Sequence, residues 1–418
     1  MLIYRLRIVR QYQVHFCHEF DIVSLGLENY MIPLIKSTFY REENVKNDLQ
    51  KFIKRSKKLS FGVECEKFEK NFAKYQERKY CVFVNSGSSA NLALIQSLLN
   101  LKRLRKGDSV GFSALSWSTN VMPLIQLGLN PVPIDIEIET LNISSQKLGA
   151  IINKKKLKAL FVTNALGFCS DLENIQKICK KNKIILIEDN CESLGTVYKG
   201  RKLGNFGLAS TCSFYVGHHL STIEGGVIST DDEELMNMLS MVRAHGWDRN
   251  LNFAKQDQIR KKFKVNSTFY SRYTFYDLGF NLRPTEINGF VGNIGIKYID
   301  EINKKRNCNF LTIAKAIYNN KNYFPLKYDH IDFVSNFAIP IICKSSKIRD
   351  ELLGKCESVI ETRPIVGGDL TRQPFFRKYI KTHLNNKNSG IAHDQGFYVG
   401  NNPELTKREI NKIIRILS

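Results

Sequence analysis

Ser213-Phe-Tyr-Val-Gly217-His218-His219-Leu-Ser-Thr-Ile-Glu224-Gly225-Gly226 decides how the rest of the chain is read. It overlaps a predicted strand at Thr211–Val216 and leads into another at Val227–Ser229, so two predicted strands flank a tight turn. Glycine at 225 and 226 permits a close backbone approach. Two adjacent histidines place proton-transfer groups of near-neutral pKa between the strands.

Outward from this segment, predicted strands at Cys81–Asn85, Ser109–Phe112, Pro131–Ile134, Leu160–Thr163 and Ile184–Glu188 alternate with helix-period stretches. Those stretches lie near 89–100, 118–127, 172–182 and 232–243. The alternation predicts an α/β fold with a mostly parallel central sheet covered by helices. Ser88 and Ser89 are expected to cap the first helix and Asp231 a later one. Residues 250–282 are polar and aromatic without periodicity and read as a loop. Pro284 is expected to open a long helix to about residue 318. The remainder, with strands at Asn336–Ile342 and Ser358–Thr362 and helices at Lys347–Leu353 and Glu404–Leu417, predicts a smaller C-terminal α+β domain.

Three motifs suggest a ligand site. Asn85-Ser86-Gly87-Ser88-Ser89 joins a strand to a helix start, whose free amides attract phosphate, although many such turns only cap helices. Glu188-Asp189 ends an apolar strand, where side chains face the ligand crevice of an open α/β sheet; a solvent-facing or capping acid reads equally well from the residues alone. Trp117 offers an aromatic face or a core residue.

Composition narrows the class. With 43% hydrophobic and 24% charged residues, the chain has a globular rather than disordered make-up. No apolar run approaches the ~18–20 residues that span a bilayer, so no membrane association is expected. The net charge of +22 is spread through Lys-Asn-Ile-rich text such as Lys154-Lys155-Lys156, with no zinc-finger or RNP spacing, so no nucleic-acid partner is expected. Ten scattered cysteines without a CxxC pair suggest a reduced, cytoplasmic setting and no metal site.

Taken in order, these motifs resemble the DegT/DnrJ/EryC1/StrS family of pyridoxal-phosphate (PLP) enzymes that act on nucleotide-sugars. The resemblance spans about residues 32–415. In that family the quoted stretch runs Ser-Phe, three residues, Lys, then a turn ending Glu-Gly-Gly. Here the lysine slot holds His218, which cannot tether an aldehyde as a Schiff base. Cys191-Glu192-Ser-Leu-Gly195 and Gly200-Arg-Lys-Leu-Gly204 follow Asp189 as the family's turns do, and Gly279-Phe-Asn281-Leu-Arg283-Pro-Thr matches its Gly-Tyr-Asn-Tyr-Arg-Met-Thr signature. Arg243-Ala-His245-Gly-Trp247-Asp-Arg249 and Glu361-Thr-Arg363-Pro resemble segments that meet the nucleotide-sugar.

The resemblance implies PLP-dependent transferase fold type I, with a large domain over 31–320, a small one over 321–418, and residues 1–30 as a dispensable extension. It implies non-covalent PLP held by Gly87, Ser88, Trp117, Asp189, Glu192, Ser213 and Asn281, the last reaching a neighbouring subunit in a homodimer. It implies His218 as catalytic base and Arg249 and Arg363 as substrate-binding residues. The histidine resembles the family's sugar 3-dehydratases. They use L-glutamate to form pyridoxamine phosphate and remove the C3 hydroxyl of a GDP-linked 4-keto-6-deoxy sugar, on the route to the O-antigen sugar colitose. The CDP-linked counterpart with an iron–sulfur cluster stays open, as do a sugar aminotransferase using another lysine and a catalytically dead basic binding protein. The lack of any cysteine between Cys212 and Cys308 counts against the cluster.

Overall fold

A computed structural model describes residues 30–381 and 386–418. The expectation that residues 1–30 are dispensable falls, apart from Tyr30, outside the described residues.

Seven strands form the main sheet: β1 (Tyr80–Val84), β2 (Ser109–Ser113), β3 (Asn130–Ile134), β4 (Ala159–Thr163), β5 (Ile185–Asp189), β8 (Ala209–Ser213) and β9 (Gly226–Thr230). Between them in the chain, β6 (Val197–Tyr198) and β7 (Arg201–Lys202) make a small hairpin. The sheet order is β1-β9-β8-β5-β4-β2-β3, with β9 antiparallel to both neighbours and the other pairs parallel. A second sheet places β12 (Gly396–Gly400) between β10 (Ala338–Ile342) and β11 (Thr362–Pro364), all antiparallel.

Apolar burial on both faces of the main sheet explains its near-continuous hydrophobic strands. One face carries Val82, Val110, Phe161 and Ile187 against the helices Gly87–Asn100 and Glu233–Val242. On the other, Leu160, Val162 and Leu186 share a core with Ile339, Ile341, Phe397 and Val399 of the small sheet. That shared core fixes the small sheet over the C-terminal strand ends.

Several local expectations are corrected. Ser86 caps Gly87–Asn100, its side chain accepting from the Ser89 amide at 3.0 Å, because it is the last extended residue before the helix. Asp232 caps Glu233–Val242, while Asp231 binds the Lys79 amide and Arg78. Pro284 precedes the cap Thr285 of Glu286–Gly295, and a 3-10 turn at Ile296–Tyr298 separates that helix from Ile299–Ile317. The stretch expected to be a loop contains the helix Phe253–Lys262, which buries no residue and so shows no apolar period. The strand expected at Ser358–Thr362 forms later, as β11, and the one expected at Thr211–Val216 ends at Ser213, as β8. Among the described residues, no helix is long and apolar enough to cross a membrane.

Candidate active site

The crevice opens at the C-terminal ends of β4, β5 and β8, where ligands of open α/β sheets bind. Its volume is about 460 Å³, and Ser86, Gly87, Ser88, Trp117, Asp189, Glu192, Ser213, His218 and Arg363 are among its lining residues.

Strand alternation explains the Ser-Phe pair in the defining stretch. Ser213 faces the cleft, whereas Phe214 is fully buried and meets Phe68 and Phe72 edge to face at 5.2 and 5.1 Å. The two glycines close the floor. A Cβ on Gly226 would lie 2.3 Å from the Ser86 carbonyl oxygen, and one on Gly87 2.5 Å from Ser213 Cβ. β9 thereby presses the start of Gly87–Asn100 against Ser213, and the free amides of that helix turn point to an anion.

Asp189 ends β5, is 3% exposed and lines the cleft. Asn91 and Asn120 donate to Oδ2 at 3.0 and 2.7 Å, and the Cys191 amide donates to Oδ1 at 2.9 Å. Thr211 in turn donates to Asn91 Oδ1 at 2.7 Å, fixing that amide's orientation. Amide donors fix and aim this carboxylate, with no Lys or Arg paired to it among the described residues. Glu188, one residue earlier, faces away. Fully buried, it accepts from the Gly204, Phe206 and Gly207 amides at 2.8, 2.7 and 2.8 Å and from Asn164 at 3.1 Å. Glu192 accepts from the Leu166 amide at 2.8 Å, and burial pushes its carboxyl up to about 8, leaving it a neutral acid at pH 7.

The adjacent histidines diverge. His218 lines the cleft, its ring 5.4 Å from that of Phe337 and edge-on to Tyr215 at 6.1 Å. Its Nδ1 has no hydrogen-bond partner in the protein. Burial pushes its pKa down to about 4, so the ring is unprotonated at neutral pH and able to take a proton. His219, 3% exposed, does not line the cleft; it borders a small cavity near Ser37 and Arg306 whose wall His218 shares. The turn between them and β9 puts Ile223 at φ 72°, a left-handed conformation that β-branched residues avoid. Asn288 secures it by donating to the Thr222 and Glu224 carbonyls at 2.8 and 3.0 Å.

Trp117 is 54% exposed within the cleft, so it is not a core residue. Arg363 enters from β11, ion-paired with Glu361, which also accepts from the Leu34 amide at 2.9 Å. Two expected site residues are not brought there within one chain. Asn281 is exposed and accepts from Arg283 at 3.0 Å. Arg249 is exposed, lies 4.1 Å over Trp247 and 4.5 Å over Tyr273, and donates to the Arg272 carbonyl. Sequence reading missed Asn91, Asn120, Phe337 and Tyr398. A polar Asn91 within the otherwise apolar helix face was the one available signal.

Residues 40–418 match the DegT/DnrJ/EryC1/StrS aminotransferase family, and the chain belongs to it. It is thus a member of a family of PLP-dependent, fold type I enzymes. Among its relatives is the GDP-4-keto-6-deoxy-D-mannose 3-dehydratase of Yersinia pseudotuberculosis, 35% identical over 392 residues, 92% of this chain and 98% of the relative. The crystal structure of the E. coli GDP-4-keto-6-deoxy-D-mannose-3-dehydratase with bound hydrated PLP superposes with a TM-score of 0.84 at 33% identity, covering 93% of this chain and all of that one. A mutant GDP-4-keto-6-deoxymannose-3-dehydratase with bound GDP-perosamine gives a TM-score of 0.83 at 33% identity over the same shares.

Proposed function

We propose that the chain is a PLP-dependent 3-dehydratase of GDP-4-keto-6-deoxymannose, using L-glutamate as amino donor and working as a cytoplasmic homodimer in deoxysugar biosynthesis. The observation that carries this reading is the replacement of the family lysine by His218, whose unpartnered imidazole faces a cleft lined by no lysine among the described residues.

The cleft fits the cofactor. Gly87, Ser88 and Ser213 form an anion cradle that a single Cβ would fill. The aimed Asp189 carboxyl suits a pyridine nitrogen, and Trp117 an aromatic ring. Neutral Glu192 can donate to a ring oxygen. When bound, PLP supplies an electron sink and carries the amino group taken from glutamate. His218 then accepts a proton in the cleft and returns it to the departing C3 hydroxyl, so that water leaves. Lysine at 218 would instead favour amino transfer. Arg363 offers the sugar-nucleotide a cation, and Arg249 and Asn281 serve the neighbouring subunit's cleft.

The test is a comparison of GDP- and CDP-linked 4-keto-6-deoxyhexoses with PLP and L-glutamate. Loss of the C3 hydroxyl from the GDP-sugar, with 2-oxoglutarate and ammonia released, is expected. Amino transfer to C4 with the C3 hydroxyl retained would establish the aminotransferase reading instead.

Two further outcomes are expected. Anaerobically purified protein should turn over without iron, because four closely placed thiolates are needed for a cluster and residues 213–307 hold no cysteine. Elemental analysis finding about two irons per chain, with activity lost on chelation, would promote the CDP-type enzyme. Gly87→Ala should retain PLP roughly 5–150-fold less tightly, the cost of overpacking being ~1–3 kcal/mol. Equilibrium dialysis showing unchanged PLP affinity would remove Gly87 from the cradle.

A further inference from the structure

Arg306 lies on the helix Ile299–Ile317, only 5% exposed, and among the described residues it pairs with no carboxylate. Its fork is spent on backbone carbonyls. Nη2 donates to the His218 carbonyl at 3.2 Å, and Nη1 donates to the Asn401 carbonyl and lies 3.5 Å from that of Phe337. Asn401 donates back to the Arg306 carbonyl at 2.9 Å. A buried guanidinium without a counter-ion is expensive, and an apolar residue of its size would serve packing alone more cheaply. The three carbonyls belong to the residue in the lysine slot, to the aromatic residue beside its ring, and to the chain just after β12.

We propose that Arg306 is a positioning residue for His218, clamping the backbone of the base to the small-sheet segment that supplies its aromatic wall. This rests on the reading of His218 as the base. The fork holds the backbones of His218 and Phe337 through their carbonyls, while His218 Nδ1 has no hydrogen-bond partner of its own. The same guanidinium bears on the ring's proton affinity. Burial lowers it most, Asp189 on β5 raises it and Arg306 adds a smaller lowering; His219 adjoins the ring, and Glu192, Glu224, Glu361 and Arg363 line the same cleft.

The test uses Arg306→Lys, Arg306→Met and, because a variant at a buried cation can fail to fold, Phe337→Leu, which alters a partly exposed wall residue. All three should bind PLP with wild-type affinity by spectral titration and lose kcat by roughly 10–100-fold, the cost of misplacing a catalytic group by about an ångström. In the cofactor-free full chain, the His218 imidazole resonance, assigned by its absence in His218→Asn, should titrate at higher pH in Arg306→Met. It should stay near its wild-type midpoint in Arg306→Lys, which keeps the charge. A merely structural arginine would cost folding or PLP affinity rather than kcat alone. Wild-type turnover in folded Arg306→Lys or in Phe337→Leu overturns the proposal, as does an unmoved His218 titration in folded Arg306→Met. Full turnover in His218→Asn sinks the proposed function itself, whereas an inactive His218→Asn beside fully active Arg306 variants sinks only this inference.

Discussion

His218→Asn is expected to lose dehydration by ~10⁴-fold while still binding PLP, since a general acid–base group contributes ~10²–10⁴-fold and this one serves more than one proton transfer. The site loses no apolar wall and no cradle residue in that variant; only the proton carrier goes. His219→Asn is expected to be nearly silent in turnover, because His219 does not line the cleft. His218→Lys should behave differently from both. A lysine amine condenses with an aldehyde where imidazole cannot. Borohydride should therefore fix PLP covalently on residue 218 of this variant and on no residue of this segment in the wild type. Dehydration should fall and weak amino transfer emerge. Peptide mapping after borohydride, together with turnover of the three variants, checks the assignment. Normal dehydration in His218→Asn with loss in His219→Asn would move the base by one residue.

Glu188→Ala is expected to be the most destabilising single change near the site, by roughly 3–5 kcal/mol, without altering turnover per folded molecule. Among the described residues its carboxylate is the one acceptor of the buried Gly204 and Phe206 amides and the half-buried Gly207 amide. Each amide left unpaired costs ~1–3 kcal/mol. Glu188→Gln should cost less, because one carbonyl oxygen still accepts while its new NH₂ faces donors. Denaturant unfolding of both variants beside Asp189→Asn separates the roles. Asp189→Asn should cost less stability than Glu188→Ala and lose PLP-dependent activity, since Asp189 and not Glu188 lines the cleft. A stability loss below about 1 kcal/mol in Glu188→Ala would mean that the turn after β7 finds other acceptors.

The alternation of short apolar runs with helical periods was enough to yield the α/β class, since strand burial on two faces writes itself into composition. The order of motifs from Gly87 to Arg363, and a histidine in place of the lysine, were likewise plain in the residues. Elements without a periodic apolar signal escaped: Phe253–Lys262 buries no residue, and β12 is a five-residue strand with glycine at both ends.

What the chain text could not decide was direction. Adjacent residues on an extended chain face opposite ways, so Glu188 against Asp189 and His218 against His219 are choices between two sides of one strand or turn. Packing made each choice: the 203–207 turn took Glu188, the Asn91–Asn120 pair took Asp189, and the Phe337 wall drew His218 into the cleft while His219 fell behind it. These partners stand 16 to 119 residues away along the chain, between Glu188 and Gly204 and between His218 and Phe337. Local sequence determined which groups the protein carries, and only the tertiary structure, by closing those long separations, determined which of them meet.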